Sequence, residues 1–283
     1  MKTLTFEISI QATKEKVWYS LWDEPNYEYW TTSFCEGSNA ISSWQEGDKI
    51  HFLDPNNNGM SSRIFKKTPF ECMIFEHITE IRNGIEVAID DTIQQWTGCQ
   101  EQYFLSEKEG ITTLKVITQT ITTFEDFFMQ TMPKALEKVK ELAEQPTTQN
   151  LTVRTHIKAS IEKTWNYFTQ AQHIQQWNHA SDDWHCPKSE NPLVVGEKFA
   201  TLMAAKDNSV SFEFSGTYTQ IESPNILSYT IADGRKVTVK FNTLENQTLV
   251  TEIFEPETTH ALSLQRQGWQ AILDNFKKYV EQN

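Results

Sequence analysis

Leu4, Phe6, Ile8 and Ile10 are apolar while the residues between them are mostly polar, the period-two pattern of a strand with one buried face. Thr13 then stands as a helix N-cap ahead of KEKVWYSLW. The same order returns later: Leu151, Val153, Thr155 and Ile157 alternate, Ser160 offers a cap, and IEKTWNYF follows. Ala12, Lys16, Trp18 and Trp30 recur as Ala159, Lys163, Trp165 and Trp177, at one offset of 147 (159 − 12). A constant offset across a strand–helix–helix unit reads as a duplication. The boundary is expected in EQPTTQN, residues 144–150, where Pro146 stops the preceding helix, so that the domains run 1–145 and 150–283.

Each half then continues into strands. In the first, EGDKIHFLD reaches the turn-rich DPNNNG and returns as MSSRIFKK; Pro69 is expected to start another strand with Met73, Phe75 and His77 on one parity. Asn83-Gly84 marks a hairpin, and a polar insertion at 85–100 precedes strands at 101–106 and 111–121. In the second, VGEKFATLM turns at AKDNS into SFEFSGTYT; Leu227, Tyr229 and Ile231 alternate, Asp233-Gly234 turns, and Val237, Val239 and Phe241 return before a last strand at 248–254. Both halves close on an amphipathic helix. One carries Phe128, Met132, Ala135, Leu136, Val139 and Leu142 at spacings of three or four; the other carries Trp269, Ile272, Phe276 and Tyr279, flanked by Leu273 and Val280. Strands segregated from a closing helix predict an α+β fold: a long helix on one face of a curved antiparallel sheet, twice over. One helix on a bowed sheet leaves apolar space between the layers, the expected place for function.

At 283 residues two domains are the natural size. A formal charge of −13 disfavours a nucleic-acid surface or docking on an anionic membrane. MKTLTFEISI has no run long enough for a signal peptide, and no stretch approaches the ~20 apolar residues of a membrane span, so a cytoplasmic protein without membrane insertion is expected. Cys35, Cys72, Cys99 and Cys186 form no CxxC pair, which fits a reducing compartment. Nine tryptophans and seventeen phenylalanines in a polar chain imply aromatic-lined cores or pockets.

The blocks SDDWHCP, VGEKF, MAAKD, FEFSGTY, ADGRKV, VTEIFEPE and QRQGWQAILDNFKKYVE resemble the homologue family named after the activator of the heat-shock-protein-90 ATPase, within the START-like (SRPBCC) superfamily of helix-grip folds. The likeness covers most of 150–283. The first half is similar to the wider superfamily through VWYSLWDEPNYEYWTT, WQEGDKIHF and MPKALEKVKELAE. This implies tandem helix-grip domains with a largely apolar cavity between helix and sheet, used across the superfamily for lipids, sterols, polyketides and aromatic molecules. Ala204 and Asn208 depart from the pattern, standing where the family suggests an acid and a glycine, and the insertion at 85–100 is expected to cover or reshape the first cavity's mouth.

His179, Asp182, Asp183, His185 and Cys186 form the sharpest polar cluster, but His179 and His185 lie six apart, which is neither HExxH nor a finger spacing; a solvated loop is expected and no metal. His77 would point into the first cavity. Glu252 shares parity with Val250 and Phe254, yet Leu249, Thr251 and Ile253 make an equally good inward set, and Leu114 and Val116 match that second set. An inward carboxylate in an apolar cavity would have a raised pKa and could act as general acid or base. Trp18, Trp30, Trp165, Trp177 and Trp269 could hold a flat ligand by stacking, but core packing is the expectation for the helix tryptophans; Trp269 is kept among the candidate ligand contacts. Trp44, Phe52, Phe75, Trp96, Trp184 and Phe214 are candidate ligand contacts, with His51, His185, Tyr103 and Tyr229 as polar ones. No GxGxxG, P-loop or GxSxG elbow occurs. The expectation is a cytosolic binder of a small hydrophobic, lipid-like or aromatic molecule in one or both domains, without cofactor. The alternatives are a cyclase- or hydratase-type enzyme using His77, Glu252 or a pocket tyrosine, and a co-chaperone or stress-response module with a chaperone partner.

Overall fold

The computed structural model describes residues 1–145, 150–244 and 246–283. It divides into two compact units, Met1–Thr147 and Thr148–Asn283. Pro146, expected to end the first long helix, lies outside the described residues.

The first unit runs β1 (Lys2–Ile10), α1 (Lys14–Trp22), α2 (Asn26–Thr31), β2 (Asn39–Ile41), β3 (Lys49–Leu53), β4 (Gly59–Thr68), β5 (Cys72–Arg82), β6 (Ile85–Glu86), β7 (Gln100–Lys108), β8 (Ile111–Thr120) and α3 (Glu125–Glu144). The second runs β9 (Leu151–Ile157), α4 (Ile161–Thr169), α5 (Ala171–Trp177), β10 (Trp184–Glu190), β11 (Lys198–Ala205), β12 (Ser211–Glu222), β13 (Ile226–Ile231), β14 (Lys236–Leu244), β15 (Gln247–Phe254) and α6 (Leu262–Gln282). Strand order is β1-β8-β7-β5-β4-β3-β2 in one sheet, with β6 paired to β5, and β10-β11-β12-β13-β14-β15-β9 in the other. Read from opposite ends, these are one topology: an antiparallel meander closed by pairing its last strand with its first. Each is a helix-grip domain, with its long helix on the sheet.

Side chains repeat along with strands. The Thr13 and Ser160 hydroxyls each accept from the backbone N–H three residues on, at 3.3 Å, as N-caps do. Thr112 Oγ1 donates to the Ala12 carbonyl at 2.6 Å, and Thr248 Oγ1 to the Ala159 carbonyl at 2.9 Å. At the far end of each long helix a glutamate, Glu144 or Glu281, accepts from the N–H of Gln11 or Lys158 at 2.8 and 2.9 Å. Lys158 stands where the offset carries Gln11. The long helices bury Met132, Ala135, Leu136, Val139 and Ala143 on one sheet, and Leu273, Phe276 and Val280 on the other. Ala143, rather than the expected Leu142, completes the first stripe.

Three local expectations change. Pro69 starts no strand: it lies in the turn between β4 and β5, where Phe70 is left-handed at φ 63°. The segment NHASDDWHCP is only partly loop, because Trp184, His185 and Cys186 open edge strand β10, with His185 opposite Ala204. The insertion at 85–100 holds β6 and a 3-10 turn at Ile93–Gln95. It is tied down by Thr97 Oγ1 donating to the Ile78 carbonyl at 3.1 Å and Thr79 Oγ1 to the Val87 carbonyl at 2.8 Å.

A cavity in the second domain and its filled counterpart

The parity of β15 is settled by its partners. Val250, Glu252 and Phe254 lie opposite Thr155, Val153 and Leu151 of β9, and Val250 and Phe254 belong to the buried core. In the first domain Leu114 and Val116 lie opposite Ile8 and Phe6 of β1. The offset carries Phe6 to Val153 and Ile8 to Thr155, so Val116 is the counterpart of Glu252 and Leu114 that of Val250. Equating Leu114 and Val116 with Leu249, Thr251 and Ile253 was out of register by one residue, which in a strand means the wrong face. Glu252 points inward.

There it meets a cavity of about 320 Å³ between sheet and helices, walled by α4 and α5, the inner faces of β11, β12, β13 and β15, and α6. Four sequence candidates line it: Phe214, Tyr229, Glu252 and Trp269. Trp269 stacks on Phe254 at 4.0 Å, with ring planes 10° apart. Phe212 lines the cavity while half exposed, which puts the opening at the β12 side. At the other flank Tyr218 Oη donates to Asn191 Oδ1, and Asn191 Nδ2 to the Thr169 carbonyl, pinning the segment after β10 to the end of α4.

Among the described residues Glu252 is the one carboxylate in the lining. Burial alone pushes its pKa up to about 8, so it is mainly protonated at neutral pH. Burial raises Tyr218 to about 12, and Tyr229 is raised well above the usual phenol range, by burial and then by Glu252. Arg235, the one cation in the lining among the described residues, is engaged elsewhere: its guanidinium holds Asp233 at 2.8 Å and donates to the Glu255 carbonyl at 3.2 Å.

Sequence reasoning missed Phe199, Thr201 and Met203, although their alternation in GEKFATLM puts them on one face. Trp177 was expected in the core; it is buried and also lines the cavity. Two other candidates fall outside. Trp184 packs on Phe212 at 5.7 Å from the edge strand, and His185 sits beside it on β10. Among the described residues no group of three His, Cys, Asp or Glu side chains could hold a metal.

In the first domain the equivalent space is occupied by rings. Trp22 lies 5.3 Å from Trp44, 5.5 Å from Phe75 and 4.9 Å from Tyr103, and Phe52 meets Phe75 edge-on at 5.2 Å. Trp44, Phe75 and Tyr103 are therefore buried core rings, and Phe52 packs against them. Tyr103 Oη donates to Glu101, whose pKa is raised by burial although that hydrogen bond lowers it. His77 does point inward, where Ser62 Oγ lies 2.9 Å from its Nδ1 and burial lowers its pKa to about 4. Ser62 itself is fully buried, and His77 nearly so. His51 faces the other side of β3, 3.3 Å from Glu86, which also accepts from Ser61 at 2.6 Å. Trp96 sits half-buried in the insertion.

Residues 158–281 match the family described as Activator of Hsp90 ATPase homolog 1-like protein. Among solved structures, an AHSA1-like protein from Aeromonas hydrophila is 45% identical, over 47% of this chain and 93% of its own, at TM-score 0.46. A protein from Cytophaga hutchinsonii is 46% identical, over 47% of this chain and 93% of its own, at TM-score 0.43. No curated protein matches the chain. Such kinship supports a ligand-binding or co-chaperone-type domain and assigns neither ligand nor partner. No helix among the described residues is long and apolar enough to cross a membrane. Through its second domain, the chain belongs to the family of activator of Hsp90 ATPase homolog 1-like proteins within the SRPBCC superfamily.

Proposed function

We propose that the second domain binds one small, largely apolar molecule in the cavity beneath α6, and that the first domain is its filled counterpart, holding no ligand. The observation that carries this reading is the walled space itself. At about 320 Å³ it falls at the lower end of small-molecule sites, roughly 300–1,000 Å³. Its wall is mostly aromatic and aliphatic, with a few polar groups to orient a guest, as such sites have. In the first domain rings take up that space, so one equivalent per chain is expected rather than two.

A neutral fluorescent apolar dye such as Nile red, titrated into the full chain, should saturate at one equivalent. Ile272→Trp places bulk in the lining and should weaken the dye at least tenfold. Leu264→Trp, on the exposed face of the same helix, should leave binding unchanged. Equal affinity in both variants, or no saturable binding, would refute the proposal.

A further inference from the structure

We infer that the cavity of the second domain takes an amine: a molecule with an aromatic or aliphatic body and one protonated nitrogen, seated so that the nitrogen meets Glu252. The inference rests on the ligand-binding reading above and names the chemical class of the guest.

Its basis is an imbalance in the wall. The Glu252 side chain makes no hydrogen bond or ion pair among the described residues, although it is buried at the inner face of β15. The side chains facing it cannot neutralise it. Val239 of β14 and Val153 of β9 lie opposite it in the sheet; Trp269 and Ile272 of α6, and Phe168 and Trp177 of the short helices, line the same space. The titratable groups in that wall are Tyr218, Tyr229 and Arg235. Both tyrosines stay neutral at physiological pH, and Arg235 is held by Asp233 and the Glu255 carbonyl. A buried carboxylate is normally paired. Among the described residues no side chain supplies the counter-charge, and a guest can bring it.

The rest of the wall favours the same sign. Trp177, Trp269, Phe199, Phe214 and Tyr229 bring ring faces and edges to the cavity, and ring faces attract a desolvated cation. An anion would meet Glu252 with no free cation among the described residues of the wall to offset it. At larger scale the net charge of −13 draws cations and repels anions.

The two chemistries open to Glu252 predict opposite pH dependence. While it is protonated it must release its proton to pair with an ammonium, so amine affinity should rise roughly tenfold per pH unit up to about pH 8, with about one proton released per binding event at neutral pH. If instead the protonated acid donates a hydrogen bond to a neutral guest, affinity should fall above pH 8.

Calorimetry on the full chain with three indoles of matched shape separates these outcomes: tryptamine, tryptophol and indole-3-acetate, each at pH 6, 7 and 8.5, in two buffers of different ionisation enthalpy. The expected result at pH 8.5 is tryptamine at least tenfold tighter than tryptophol, indole-3-acetate weakest, and proton release seen with tryptamine alone. Glu252→Gln should erase the preference for tryptamine while keeping tryptophol binding, which also shows that the variant is folded. Tryptophol binding as tightly as tryptamine at pH 8.5, or a preference that survives Glu252→Gln, overturns the amine assignment and leaves the cavity reading standing. Failure of all three indoles and of Nile red overturns both.

Discussion

Glu252 and His77 are buried ionisable residues whose effects on stability run in opposite directions with pH. Glu252 has a folded pKa of about 8 against an ordinary value of 4.5. Between those values the unfolded chain is ionised and the native one is not, so stability falls as pH rises from about 4.5 to about 8 and then levels. Glu252→Gln should remove that loss, raising the unfolding free energy by up to roughly 3 kcal/mol at pH 7 and by little at pH 4.5. His77 has the reverse sign. Its folded value of about 4 lies below the ordinary 6.5, so its contribution is complete above pH 6.5 and is lost as pH falls through 4. Urea unfolding of the first domain should weaken across that window by up to about 3 kcal/mol, and His77→Gln should flatten the slope. The sequence identified both residues as candidates because each shares parity with apolar neighbours. It left the direction of Glu252 open, since Leu249, Thr251 and Ile253 are as apolar as Val250 and Phe254. Only the pairing with β9 separates the two sets.

At the scale of elements, the alternation and the capping residues were enough to read strand, helix pair, meander and closing helix, because each is a local pattern. What remained hidden depended on neighbours distant in sequence. Trp44 resembles a pocket residue in a loop, yet it is left-handed at φ 58° and sealed among Trp22, Tyr27 and Phe75. His185 reads as loop chemistry until β11 pairs with it. Gly216 shows another such constraint: a Cβ there would stand 2.7 Å from the Thr230 carbonyl oxygen and 2.9 Å from ring atoms of Phe199. Gly216→Ala should therefore cost about 1–3 kcal/mol, measurable by chemical denaturation. Because Phe199 must move to admit the methyl group, the variant should also alter dye affinity in the cavity.

For the whole molecule, duplication and divergence are visible side by side. Both domains set a carboxylate against the core, but on different strands: the partly buried Glu101 of β7 lies opposite Thr118, while the buried Glu252 of β15 lies opposite Val239. By register Glu101 corresponds to Val237, and Val116 to Glu252. In the first domain the carboxylate accepts from a tyrosine inside an aromatic core; in the second it faces open space. Native mass spectrometry of the full chain purified from its own host should accordingly retain one small molecule per chain, not two, and Ile272→Trp should release it.

The flat stack of Trp269 on Phe254 has an optical consequence. Trp269 and Trp177 border the space a guest would fill, whereas Trp22 and Trp44 are enclosed in the other domain. The chain thus carries both a reporter and a built-in reference lamp. As a guest displaces solvent from the indole edge, the emission of Trp269 should shift and become shielded from acrylamide, while the enclosed indoles glow unchanged. Occupancy can then be read from the unlabelled protein by the colour of its own light.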